Sequence, residues 1–249
     1  MPSVYQLKNG LKVLLVPCEA ESVAVGLFIA SGSRHEDAKS AGISHFIEHM
    51  LFKGTPTRTP LDITQAIEGR GGNFNACTGE ESTCYFAHLP CEYLVEAVDI
   101  LSDMYLRATI PANEFAREKQ VVIEEIKMYA DEPDAVAMEN LQRNLFPKST
   151  LGAPVAGTPE SLLPLKPADL KRYIKSHYLP SNTVVVIVGK LSQIMLFEFG
   201  VEAELDHLRV DEHKFEVGGM LLVNERRNYR IEAHGFTLTG GTGHESVRH

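Results

Sequence analysis

Residues 44–55 read SHFIEHMLFKGT. In and around them, Ile43, Phe46, Ile47, Met50 and Leu51 recur at helical spacing, which predicts a mostly buried helix. Positions four apart share a helix face, so His45 and His49 point at one object. Glu48 lies near that face. Two imidazoles and a carboxylate in an apolar wall are costly without partners, and a divalent metal would satisfy all three.

The flanking sequence supplies the frame. LKVLLVP (11–17) and SVAVGLFIA (22–30) read as strands, and the polar SGSRHEDAKSAG (31–42) leads from them into the histidine helix. TPLDITQAIEGRGG (59–72) predicts a second helix, opened by Pro60 and stopped by Gly69, Gly71 and Gly72. NFNACTGEESTCYFAHLP (73–90) reads as two strands joined at Gly79. Helical spacing returns at 92–108, at 112–133 (ended by Pro133), at 134–145 and at 168–178, and TVVVIVG (183–189) reads as a buried strand. This order predicts an α+β fold: a mostly antiparallel sheet covered on one face by helices. Residues 1–190 form one expected unit. In 191–249 the expectation is a helix near 194–208, one or two strands within 218–238 and a disordered tail.

The 249 residues, 44% of them hydrophobic, are enough for a sizeable core. A net charge of −9 argues against a nucleic-acid partner. No stretch resembles a membrane span. The first residues lack the basic start, apolar run and cleavage site of a signal peptide, so a cytoplasmic location is expected. Cys18, Cys77, Cys84 and Cys91 form no C-x-x-C pair and are expected to be reduced thiols, with Cys84 in the core. The other eight histidines show no ligand spacing.

A catalytic zinc takes three protein ligands and leaves one position for water. The third ligand must come from outside the histidine helix, and helix 112–133 offers REKQVVIEEIKMY, with acids set among apolar residues. Glu118 and Glu125 are two turns apart on one face, flanked by Val122 and Tyr129. An inward carboxylate there needs a cation or a donor. Glu125 is the candidate ligand, and Glu118 the candidate support for a ligand or a catalytic water. Glu48 is then the candidate base that takes the water's proton and returns it to a leaving amine.

AGISHFIEHMLFKGT (41–55), GGNFNACTGEESTCYF (71–86), EKQVVIEEIKMY (118–129) and TLGAPVAGTPESL (150–162), in that order, closely resemble the M16 (pitrilysin) metallopeptidases. H-x-x-E-H is the inverted zinc signature of that family. The resemblance covers residues 4–190 and implies the metallohydrolase fold of the LuxS and mitochondrial-processing-peptidase type. It implies one Zn2+ per chain on His45, His49 and Glu125. The 75 residues between His49 and Glu125 match the family spacing, which selects Glu125 over Glu124, and Glu118 matches a supporting catalytic glutamate. It further implies that peptide substrate adds as an edge strand along Phe74, Asn75, Ala76 and Cys77, a mode that gives affinity through the main chain.

Members of that family generally have two similar halves enclosing a chamber, and this chain is one half long. VNERRNYRIEAHGFTL (223–238) resembles the opening strand of a second half. A homo-oligomer or a separate M16-like half is therefore expected as partner. The resemblance implies a zinc metalloendopeptidase acting on peptides or unfolded segments. The alternative is a non-catalytic or partner-dependent peptide-binding subunit of a processing complex. A zinc hydrolase of another bond would leave the NFNAC strand unexplained.

Overall fold

A computed structural model of the chain describes residues 2–191 and the strands 214–217, 220–225, 228–233 and 236–239. Six strands build the main sheet: β1 (Ser3–Gln6), β2 (Lys12–Pro17), β3 (Ser22–Ile29), β4 (Asn73–Thr78), β5 (Thr83–Pro90) and β6 (Thr183–Gly189). Their spatial order is β1-β2-β6-β3-β5-β4. Only the β2–β6 pair is parallel, so the sheet is mostly antiparallel, as the element order predicts.

The helices are α1 (Ile43–Leu51), α2 (Pro60–Glu68), α3 (Leu94–Arg107), α4 (Ala112–Ala130), α5 (Pro133–Leu145), α6 (Pro159–Leu162) and α7 (Pro167–His177). α1, α2 and α3 pack on one sheet face, α4 and α7 pack against α1, and α5 and α6 against α4. Side chains alternate across a strand, so Val23, Val25, Leu27 and Ile29 of β3 meet the helices. Phe28 turns the other way and joins Leu14, Val16, Cys84 and Val186.

The histidine helix lies deepest. Ile43, Phe46, Ile47, Met50 and Leu51 are all buried, and each such side chain contributes about 1.5–3 kcal/mol through burial. At its start Gly42 adopts φ 88°, and a Cβ there would lie 2.4 Å from the Ala156 carbonyl oxygen. Only glycine combines that backbone with so close an approach, which seats the 152–157 loop over the start of α1. The Glu36 carboxylate accepts from the backbone N–H of Gly42 at 2.6 Å and of Ser44 at 2.8 Å, satisfying donors at this helix start.

Two differences from the sequence reading have simple causes. Pro133 does not end α4, which stops at Ala130; it opens α5, where a missing N–H costs nothing. β1 was not expected, because SVYQ is short and polar, and it forms by pairing with β2. Residues 194–208 and the C-terminal tail lie outside the described residues. Within 214–239 a four-stranded antiparallel sheet forms, comprising β7 (Lys214–Val217), β8 (Met220–Glu225), β9 (Asn228–Ala233) and β10 (Phe236–Thr239) in the order β10-β9-β8-β7. That exceeds the one or two strands expected there. Among the described residues no helix is long and apolar enough to cross a membrane.

Candidate metal centre

Helices α1 and α4 pack through Phe46 and Phe115, whose ring centroids are 4.9 Å apart, with Val122 fully buried between them. This contact turns one face of α4 toward the histidines. His49 Nε2 is 3.3 Å from Glu125 Oε2, and His45 Nε2 is 3.8 Å from the same oxygen. One ligand atom from each of the three residues lies within 4.8 Å of the other two. Donors bound near 2.0–2.2 Å in a tetrahedron sit roughly 3.3–3.6 Å apart, so the three need only small adjustments to close on one ion.

The second acid faces the other side of the ring. Glu118 Oε2 lies 3.3 Å from His49 Nδ1, and its Oε1 lies 2.7 Å from Lys53 Nζ. A carboxylate at Nδ1 holds the ring proton there and leaves the Nε2 lone pair free to bind a metal. Glu118 is buried, and the Lys53 ammonium balances its charge. Lys53 was not read from the sequence. Its only signal is its place four residues after His49.

Among the described residues His45 Nδ1 is buried without a hydrogen-bond partner. Burial, aided by His49, pushes the His45 pKa down to about 4, so the ring is neutral at pH 7, as a ligand must be. For His49, burial lowers the pKa, but its contacts with Glu125 and Glu118 prevail and the net shift is upward. Its bond to His49 holds the Glu125 carboxyl below its ordinary value against the opposing pull of burial. His49 thus lies between Glu118, which Lys53 neutralises, and Glu125, whose ion-pair contacts are to His45 and His49.

Glu48 is half-buried, and burial raises its pKa against the opposing bond from Thr78. Thr78 Oγ1 donates to Glu48 Oε2 at 2.5 Å. The bond holds one carboxyl oxygen of Glu48 in a fixed orientation. Thr78, too, was missed. It shares strand parity with Phe74 and Ala76, which face the helices.

A cleft of about 260 Å3 opens beside His45, Thr78 and Glu125, with Tyr129, Gln142 and the 152–156 loop along its wall. Tyr129 is exposed, so the end of the α4 face expected to be partly covered is open to solvent. Among the described residues β4 is the outer strand of the main sheet, paired with β5 alone, and it runs beside this cleft. Phe74 packs inward on Phe52, with ring centroids 4.8 Å apart. The Ala76 N–H donates to Asn75 Oδ1 at 2.8 Å, so on this edge a side chain occupies a donor that a neighbouring strand would use. Cys77 turns to the other sheet face.

The cluster thus joins two histidines of α1 to a glutamate of α4, over a mixed sheet. The insulinase family (peptidase family M16) matches residues 12–159, and the chain belongs to that family. An uncharacterized zinc protease of Bacillus subtilis, YmxG, is 40% identical over 189 residues, 76% of this chain and 46% of that one. The mitochondrial-processing peptidase subunit beta of Caenorhabditis elegans is 34% identical over 186 residues, 75% of this chain and 41% of that one. A protease of Helicobacter pylori shares the fold with a TM-score of 0.73 at 24% identity, covering 88% of this chain and 53% of that one. The chain thus spans less than half the length of these two curated relatives.

Proposed function

We propose that this chain is the catalytic half of a zinc-dependent metalloendopeptidase that acts on peptides or unfolded segments, with residues 1–190 as the catalytic unit. The observation that carries this reading is the convergence of His45, His49 and Glu125 next to a cleft lined by His45, Glu125 and Thr78, with Thr78 in turn bonded to Glu48. The name zinc protease on the Bacillus subtilis relative points the same way. His45, His49 and Glu125 would hold one Zn2+. Bound there, zinc supplies Lewis acidity toward a carbonyl and makes water more acidic.

The protein's own groups do the rest. Glu48 takes a proton from the attacking water and returns it to the leaving amine, while Thr78 fixes one of its oxygens. Glu118 keeps the His49 proton on Nδ1. Phe74, Asn75, Ala76 and Cys77 bind the substrate main chain as an added strand, and Asn75 must release the Ala76 N–H for this to happen. Since Phe74 packs inward on Phe52, it contributes backbone rather than side chain, while the Cys77 side chain faces away from the helices.

Cleavage of a quenched peptide library tests the assignment. Glu48→Gln is expected to abolish cleavage while zinc stays bound. Wild-type turnover in that variant removes Glu48 from the base role.

One observation favours a second reading. The chain covers 41% of a relative named as a subunit, so it would act as a partner-dependent peptide-binding component. Peptide binding without cleavage, or cleavage by the complex that survives Glu48→Gln in this chain, selects that reading.

A further inference from the structure

Cys77 on β4 and Cys84 on β5 are direct cross-strand partners in the hairpin register. Both belong to the sheet face opposite the helices. They lie on either side of a tight turn closed by the Gly79 N–H donating to the Ser82 carbonyl at 2.8 Å. All four cysteines are reduced in this structure. We propose that Cys77 and Cys84 form a reversible dithiol–disulfide pair that clamps the hairpin carrying Thr78 and the β4 edge.

Three features support it. Directly opposed residues of antiparallel strands have Cα atoms about 4.5–5.5 Å apart, inside the roughly 4.4–6.8 Å a disulfide spans, so closure needs only a small approach of the two Cβ atoms. The thiols also differ in access: Cys77 is partly exposed and Cys84 is buried. Their chemistry matches. The bond from Cys84 lowers the Cys77 pKa, while burial pushes the Cys84 thiol well up. Cys77 is therefore the attacking thiolate, and Cys84 the resolving thiol that an oxidant cannot reach directly.

The oxidant is a small disulfide such as oxidised glutathione. Cys77 Sγ attacks one of its sulfurs, the S–S bond breaks, and one glutathione leaves as thiolate. Cys84 Sγ then attacks Cys77 Sγ, its proton passes to the departing second glutathione, and the cross-strand bond forms. Two protein thiols are oxidised and one small disulfide becomes two thiols, so electrons and protons balance.

The pair sits next to working parts. Thr78, which follows Cys77, holds Glu48. Tyr85, which follows Cys84, bonds Tyr178 with the hydroxyls 3.0 Å apart. Oxidation would stiffen the edge strand at the point where Asn75 must move to free the Ala76 N–H.

The test equilibrates the reduced full chain with defined ratios of reduced and oxidised glutathione, traps free thiols by alkylation and maps the peptides. The expected product is a single Cys77–Cys84 bond, with about two reduced glutathiones released per chain, reversed by dithiothreitol. Slower amide exchange across residues 73–90 is expected in the oxidised form. Cys84→Ala should instead accumulate a stable glutathione adduct on Cys77, and Cys77→Ser should form neither product. If Cys84→Ala fails to fold, the glutathione count and the peptide map of the wild type still decide. A stable adduct on wild-type Cys77, a bond made by Cys18 or Cys91 instead, or two thiols that remain alkylatable in excess oxidised glutathione would overturn the proposal.

Discussion

A few paired charges at the margin of the core hold the residues of the proposed centre in place. Lys53 is the clearest case, because it offsets a buried acid that in turn orients His49. Support of this kind is commonly worth about 10–100-fold in metal affinity. Lys53→Met is therefore expected to weaken zinc binding by about that factor in a chelator competition, with Lys53→Arg recovering most of it. Equal affinity in all three proteins would reduce Lys53 to a surface charge.

Glu36 offers a second residue-scale test. Burial raises its pKa from 4.5 to about 7, against the opposing N–H bonds from Ser44 and Gly42. The folded protein therefore holds this proton between pH 4.5 and 7 where the unfolded chain has lost it. The associated stability is fully present below pH 4.5 and is lost as pH rises through 7. Relative to Glu36→Gln, the wild type should lose on the order of 3 kcal/mol of unfolding free energy across that interval. Urea titrations at several pH values measure it, and a pH-independent difference between the two proteins would contradict it.

Among the elements, the segment between α1 and α2 is anchored through α3. The Asp103 side chain accepts from Thr55 at 2.8 Å, Thr57 at 3.1 Å, Arg58 at 2.5 Å and Arg107 at 2.6 Å. Burial opposes ionisation, but the bonds from Thr55 and Arg58 prevail and set its pKa at about 2. Asp103→Ala leaves a buried Thr55 hydroxyl and the Arg58 guanidinium without their acceptor. A loss of about 2–4 kcal/mol is expected by chemical denaturation, kept moderate because water can reach Arg107. A change below about 0.5 kcal/mol would mean that packing alone holds the segment.

The elements also show what the sequence could carry. α1 was legible because five apolar side chains share one face, and β6 because an unbroken β-branched run has no helical alternative. The grouping of His45, His49 and Glu125 was legible through H-x-x-E-H and the spacing to Glu125 that the family resemblance implies. Lys53, Thr78 and Asp103 were not, because each acts on a partner that only the folded chain brings near: Thr78 on Glu48, Asp103 on Thr55, Lys53 on Glu118. The place of β6 between β2 and β3 was hidden for the same reason, since strand order is a property of the assembled sheet. Short pieces such as β1 carry too few residues to show a period.

For the whole molecule, the governing fact is length. The chain covers 46% of the Bacillus subtilis relative, and its cleft is open beside Tyr129. Under the proposed function, the isolated chain should bind zinc yet hydrolyse peptides slowly. Supplying a second half as a separate chain should raise turnover and shift the mass in light scattering from one chain to a complex. Rapid cleavage by a proven monomer would show that one half suffices.

If His45, His49 and Glu125 grip one metal ion, the metal content of the purified protein and its variants will show it. After exhaustive chelation, reloading and gel filtration, the wild type should carry about one zinc per chain, while His49→Ala and Glu125→Ala, both still folded by circular dichroism, should carry close to none. Zinc retained at the wild-type level by the folded variants would contradict the account.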